Sequence, residues 1–269
     1  MAETLIFERR DSVGWLRLNR PDKLNAQTPA MWNELRDLGG ALANDRALRC
    51  LVVIGEGRAF SSGIDLAQLT GGGGLPAAAA AGAKEGDDPI VAAVRRTQEA
   101  FTWIADAPFA SIAAVRGYAF GAGLQLALAC DLRLVARGTQ LGALEFQYGL
   151  LPDLGGTAWL PRLVGAAKAK ELVFTAARID ADEALRIGLA NRLVDDAELE
   201  SQATALAATL AAQPPLALQG AKRAIDACED VRRSLELAAV GQAECLRSED
   251  FLEAGRAFLE KRPPAYRGR

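Results

Sequence analysis

An α/β fold is what this sequence predicts, on three observations. Short apolar runs such as CLVVIGEG (50–57) end in glycine-marked turns. Helical stretches lie between these runs, and from about Asp195 the chain turns alanine- and leucine-rich with helical periodicity. This divides the chain into a core over 1–195 that carries the site and a helical module over 196–269. At 269 residues the chain can bury a sizeable core.

The elements follow in order. Leu5 and Phe7, then Val13, Trp15, Arg17 and Asn19, alternate around an Asp11-Ser12 turn, which predicts a β-hairpin. Thr28-Pro29 is a capping residue followed by proline at the first helical position, so a helix should run to about Ala43. The run at 50–57 is a buried strand. Segment 70–89, TGGGGLPAAAAAGAKEGDDP, is low in complexity and rich in turn residues, as expected of a lid placed just after a site. SIAAVRGYAFGAG and DLRLVARG give further strands beside glycine turns. Helices are expected at 196–212, 215–228, 231–247 and 250–261, with breaks at Pro214-Pro215 and Glu229-Asp230. Their apolar faces must pack on the core or on other subunits.

Composition excludes several function classes. A formal charge of −3 without a basic stretch argues against nucleic-acid binding. No apolar run reaches the ~18 residues of a membrane span, and the N-terminus lacks a secretory layout. Cys50, Cys130, Cys228 and Cys245 form no CxxC pair and are expected as buried thiols in a reducing cytoplasm, with no metal site. The chain has no histidine, which removes Ser-His-Asp and Cys-His chemistry. Acid–base work falls to carboxylates, lysine, tyrosine or cysteine.

GRAFSSGIDL (57–66) and GYAFGAGLQL (117–126) each place small residues at a turn into a helix. Small side chains bare the backbone, and free N–H groups at a helix start favour negative charge. The Ser61 and Ala122 N–H groups, if they converge, form an oxyanion hole. Tight helix–strand packing would ask for the same small residues.

These strings, with LNRPDKLNA (18–26), GYAFGAGLQLALACD (117–131), YGLLPDLGGTAWLPRLVG (148–165) and the closing FLEKRPPAYRGR, resemble the crotonase family of enoyl-CoA hydratases and isomerases. The resemblance runs in order from about residue 4 to the end. It implies a spiral of ββα units, a C-terminal helical trimerisation module, trimers or dimers of trimers, and acyl-CoA thioesters as substrates. Ser61 and Ala122 would hold the thioester carbonyl and stabilise an enolate. No separate cofactor is implied, because coenzyme A is part of the substrate.

Family hydratases flank a water with two glutamates. One position is held here by Gln125 and the other by Glu145. An amide exchanges no proton near neutral pH, although it can hold a water or a substrate oxygen. Asp153, eight residues beyond Glu145, resembles the second carboxylate of the family's dienoyl-CoA isomerases; it could equally cap the helix after Gly155-Gly156. Double-bond isomerisation needs no water, so Glu145 and Asp153 are the expected acid and base. Hydration despite Gln125, or a catalytically silent acyl-CoA-binding protein, are the alternatives. Asp65 is expected to anchor its turn and Asp131 to sit in one, while Tyr118 and Tyr148 pack near the cavity wall.

For the ligand's other end, Lys23 matches a basic position near the CoA phosphates. Ala59, Ser62, Gly63 and Ile64 match the strip along pantetheine and adenine, and Gly121 lines the substrate side. Phe258 and Lys261 resemble tail residues that reach a neighbouring subunit's CoA. Both lysines could also be solvated surface charges.

Overall fold

The computed structural model describes residues 4–67 and 88–269. The segment expected as a lid lies, but for Asp88 and Pro89, outside the described residues. The hairpin forms as expected: β1 (Leu5–Arg10) pairs antiparallel with β2 (Val13–Leu18), and Asp11 turns the chain with φ 54°. Helix α1 (Pro29–Leu42) begins at Thr28, whose hydroxyl accepts the Met31 N–H at 3.3 Å. A cap of this kind contributes about 1 kcal/mol.

Strand β3 (Cys50–Gly55), helix α2 (Pro89–Asp106) and strand β4 (Ala110–Val115) come next. After them, successive strands alternate between two sheets. β4 and β6 (Leu132–Ala136) lie in the large sheet, ordered β1-β2-β3-β4-β6-β9 with β9 at Arg192–Val194 and parallel beyond the first pair. β5 (Tyr118–Phe120) and β7 (Gln140–Gly142) lie in the small sheet with β8 (Ile179–Asp180). Each β4–β5 or β6–β7 step is followed by helix: α3 (Ala122–Ala129) after the first, α4 (Gly156–Val164) and α5 (Ala166–Thr175) after the second. This is the expected ββα spiral. A short α6 (Ala181–Arg186) leads into β9.

The central strands β3 and β4 are buried on both faces, which is why they read as near-continuous apolar runs. Leu51, Val53, Ala113 and Val115 point to the face covered by Met31 and Leu35 of α1, Phe101 and Ile104 of α2, and Leu124 and Leu126 of α3. Their alternates, Val52, Ile54, Ile112 and Ala114, point the other way. That second face is covered by α7 (Leu199–Ala211) through Leu199, Ala203 and Ala207, all fully buried. Packing therefore does not break at residue 195: the first helix of the expected tail belongs to the core.

Beyond α7, α8 (Pro215–Asp226) and α9 (Val231–Leu246) cross so closely that a Cβ added at Gly241 would lie 3.0 Å from Gly220 Cα. α10 (Glu249–Glu260) completes the tail. Lys222 of α8 stitches it to the core, placing Nζ 3.0 Å from Asp131 Oδ1 and donating to the Ile104 and Phe109 carbonyls. Asp131 also accepts the Ser111 N–H and hydroxyl at 2.7 and 2.9 Å. Two expectations change: Cys228 is exposed and Cys245 half-buried, while only Cys50 and Cys130 are buried. Tyr148 is also exposed. Among the described residues no helix is long and apolar enough to cross a membrane.

Candidate active site

Two glycine turns meet at the start of α3. Gly121 adopts φ 50°, ψ −123°, a conformation that side chains resist, and it releases the chain from β5 into the helix. Gly63, at φ 96°, makes the matching turn: a Cβ there would lie 2.7 Å from the Phe120 carbonyl and 3.7 Å from the Ala122 nitrogen. The 61–65 turn thus rests directly on the end of β5 and the first amide of α3.

This packing corrects one expectation. The Ser61 N–H is committed to the Tyr118 carbonyl at 2.9 Å, and the Ser61 carbonyl accepts the Phe120 N–H at 3.1 Å. Ser61 is thus the bridge residue that binds the turn to β5, and it has no amide to offer a ligand. Among the described residues, the Ile64 and Ala122 amides at this junction have no acceptor, nor do the next amides of α3, those of Gly123 and Leu124. Ile64 had been placed along the pantetheine strip. The flip at Gly63 turns its N–H away from the strand pairing that consumes Ser61's.

A carboxylate comes from the turn that follows β7. Glu145 starts a single 3-10 turn after β7, and its Oε1 would lie 3.4 Å from a Cβ at Gly121. Gln125, 2 % exposed on α3, donates from Nε2 to Glu145 Oε1 at 2.7 Å and accepts the Gly156 N–H on Oε1 at 2.9 Å. That second bond fixes which end of the amide faces Glu145. The amide is thus spent first on protein partners, contrary to a primary role in holding water or substrate. Glu145 Oε2 is buried with no partner among the described residues. An unpaired buried oxygen is costly, so its presence points to a job outside the folded chain.

Burial pushes the Glu145 carboxyl above its ordinary range, opposed by its own N–H and by Gln125, and assisted by the charge of Asp153. Asp153 is itself raised, chiefly by burial. The two carboxyls therefore share a neighbourhood. The capping alternative for Asp153 fails, because α4 is preceded by Gly155 with no side-chain cap. Instead the Asp153 carbonyl accepts Gln98 Nε2 of α2 at 2.7 Å.

The remaining expected residues divide. Ala59 and Gly63 are buried and Ser62 half-buried along the turn. Asp65 anchors it, accepting Arg20 Nη2 at 2.9 Å and the Ala67 N–H at 3.2 Å; Arg20 above all, with help from Lys23, holds its carboxyl below the usual range. Lys23 is thereby placed near the turn, exposed to solvent. Lys261, exposed, and Phe258, 85 % exposed, end α10, and among the described residues no bond brings them to the carboxylates.

Three polar residues behind the turn were missed. Arg20 reaches the Ala26 carbonyl as well as Asp65. Asn25, with φ 53°, donates to the Glu56 and Ala59 carbonyls. Gln27, fully buried, contacts both limbs of the junction. The available signal was the Asn-Ala-Gln triplet between a turn and a helix cap, since polar residues are buried there only when bonded.

The sequence pattern of the enoyl-CoA hydratase/isomerase family matches residues 8–269. A crotonyl-CoA hydratase of Syntrophomonas wolfei is 34 % identical over 265 residues, spanning 97 % of this chain and 95 % of the relative. The mitochondrial Δ(3,5)-Δ(2,4)-dienoyl-CoA isomerase of Rattus norvegicus is 34 % identical over 257 residues, spanning 92 % of this chain and 76 % of its own. The crystal structure of an enoyl-CoA hydratase from Bacillus anthracis superposes with a TM-score of 0.88 at 31 % identity, covering 99 % of this chain and all of that one. Similarity over the full length, joined to the ββα spiral and the glycine junction, makes this chain a member of the enoyl-CoA hydratase/isomerase family.

Proposed function

We propose that the protein isomerises the double bond of an enoyl-CoA thioester. The observation that carries this reading is the Gln125–Glu145 pair: one carboxylate oxygen is unpartnered, and an amide locked by Gly156 stands where a second proton carrier would be needed for hydration. The Ile64 and Ala122 amides receive the thioester carbonyl oxygen. For a 3-enoyl substrate, Glu145 takes a proton from carbon 2, and the electron pair is delocalised into the enolate held by the two amides. Returning the proton at carbon 4 moves the double bond to carbon 2 and restores Glu145. Asp153, raised by burial and electrostatically coupled to Glu145, is the second group through which a proton can leave or return. Preorganised amides of this kind contribute roughly 3–4 kcal/mol each to lowering such a barrier.

Hydration is the second reading, favoured by the names of several relatives, the crotonyl-CoA hydratase among them. The discriminating assay offers 2-enoyl- and 3-enoyl-CoA separately in heavy-oxygen water and follows mass. Conversion of the 3-enoyl substrate without label supports the isomerase. Rapid label uptake by the 2-enoyl substrate overturns it. Assembly as a homotrimer or a dimer of trimers is part of the proposal, supported by exposed apolar side chains on α8–α10, including Leu235, Phe251 and Leu259.

A further inference from the structure

Gln27 bonds both limbs of the junction: the peptide that carries the open Ile64 N–H, and the Ala122 carbonyl one peptide beyond the open Ala122 N–H. Its backbone N–H donates to the Gly63 carbonyl at 2.7 Å, and its own carbonyl accepts the Asp65 N–H at 2.8 Å. The Gly63 carbonyl and the Ile64 N–H belong to one planar peptide. Holding that oxygen therefore fixes the direction of the open N–H, and a bonded carbonyl also polarises the N–H behind it. On the other limb, the side chain's Nε2 donates to the Ala122 carbonyl at 3.2 Å and to Ser61 Oγ at 3.3 Å. Its Oε1 accepts the Trp32 indole N–H at 2.9 Å, which settles the orientation of the amide.

Ser61 Oγ is the second node. It donates to the Asn25 carbonyl at 2.9 Å and accepts the Gly63 N–H at 3.2 Å. Gln27 and Ser61 are both fully buried, so none of these bonds competes with water. A leucine at position 27 would fill a similar core volume, but its side chain could bond neither limb.

We propose that Gln27 is a positioning residue that sets the direction of the Ile64 amide and its separation from the Ala122 amide, with the Ser61 hydroxyl as its strut. This rests on the reading of those amides as the carbonyl-binding pair. Ser61 thereby acts through its side chain, while its amide serves the sheet.

The test uses the full-length protein and 2,4-hexadienoyl-CoA, a conjugated thioester whose absorbance moves to the red when its carbonyl is polarised. Wild type should show the red shift on binding. Gln27→Met, of similar length and without donors, should lose most of the shift and about 10- to 100-fold in kcat, less than the ~10²–10³ of deleting a donor outright, with KM little changed. Ser61→Ala should shift both readouts the same way, and it carries the test if Gln27→Met does not fold. A folded Gln27→Met or Ser61→Ala protein with the wild-type red shift and kcat overturns the positioning role, even if its melting temperature has dropped. Bound ligand with no red shift in wild type overturns the carbonyl-binding reading itself.

Discussion

Replacing Gln125 by glutamate changes one atom's chemistry and almost none of the shape. The Gly156 N–H keeps its acceptor, because either residue presents an oxygen there. The other end becomes an oxygen facing Glu145 Oε1 across 2.7 Å, where the amide had donated. Two unit charges at that distance repel by about 6 kcal/mol at an effective dielectric constant near 20, equivalent to roughly 4 pH units of proton affinity. The pair must therefore keep one proton through neutral pH and titrate as a unit. One carboxyl would then be available as acid and the other as base, the arrangement that hydration requires. Gln125→Glu is expected to raise label incorporation into 2-enoyl-CoA from heavy-oxygen water by about 10²–10⁴-fold, the usual contribution of one positioned acid or base. Its stability relative to wild type should fall as pH rises from the ordinary carboxylate range toward the pair's raised titration, because over that window the unfolded chain has released a proton that the folded pair still binds. A folded Gln125→Glu protein that takes up no more label than wild type would refute the assignment of Gln125 as the element that withholds hydration.

Four further outcomes follow from the same geometry. Glu145→Gln should lower isomerisation about 10²–10⁴-fold. Because burial raises the Glu145 carboxyl, the folded state disfavours its ionised form, so Glu145→Gln should melt higher than wild type at pH 7. That gain should vanish as pH falls below the ordinary carboxylate range, in paired thermal scans. The acidic limb of wild-type kcat/KM should have its midpoint above a typical glutamate's, since the base must lose its proton to work; a midpoint at or below that range speaks against Glu145 as base. Gly63→Ala meets the Phe120 carbonyl at 2.7 Å from a conformation with φ 96°. It should cost about 1–3 kcal/mol in denaturant titration and depress kcat beyond any loss in folded fraction. Lys222→Met leaves Asp131 and two carbonyls without their ammonium and should cost about 1–3 kcal/mol, read from the urea midpoint, with the isomerisation rate of folded protein retained.

What the sequence determined by itself is what local chemistry can encode. The hairpin at Asp11, the Thr28-Pro29 helix start and the breaks at Pro214-Pro215 and Glu229-Asp230 each depend on a few adjacent residues, and each appears in the structure. The glycine turns were legible for the same reason, and the order of the family's motifs marked Glu145 and Asp153 as candidates. The tertiary structure alone decided which N–H groups stay open. Ser61 and Ile64 lie three residues apart, and only the pairing of Ser61 with Tyr118, 57 residues on, consumes one amide and leaves the other. It likewise decided that Asp153 caps nothing, that α7 belongs to the core, and that Gln27 reaches Ala122 across 95 positions. Hydrogen bonds are short in space whatever their span along the chain. A spiral that brings four distant turns to one point therefore sets the electrostatics of its site by contacts no local pattern can announce.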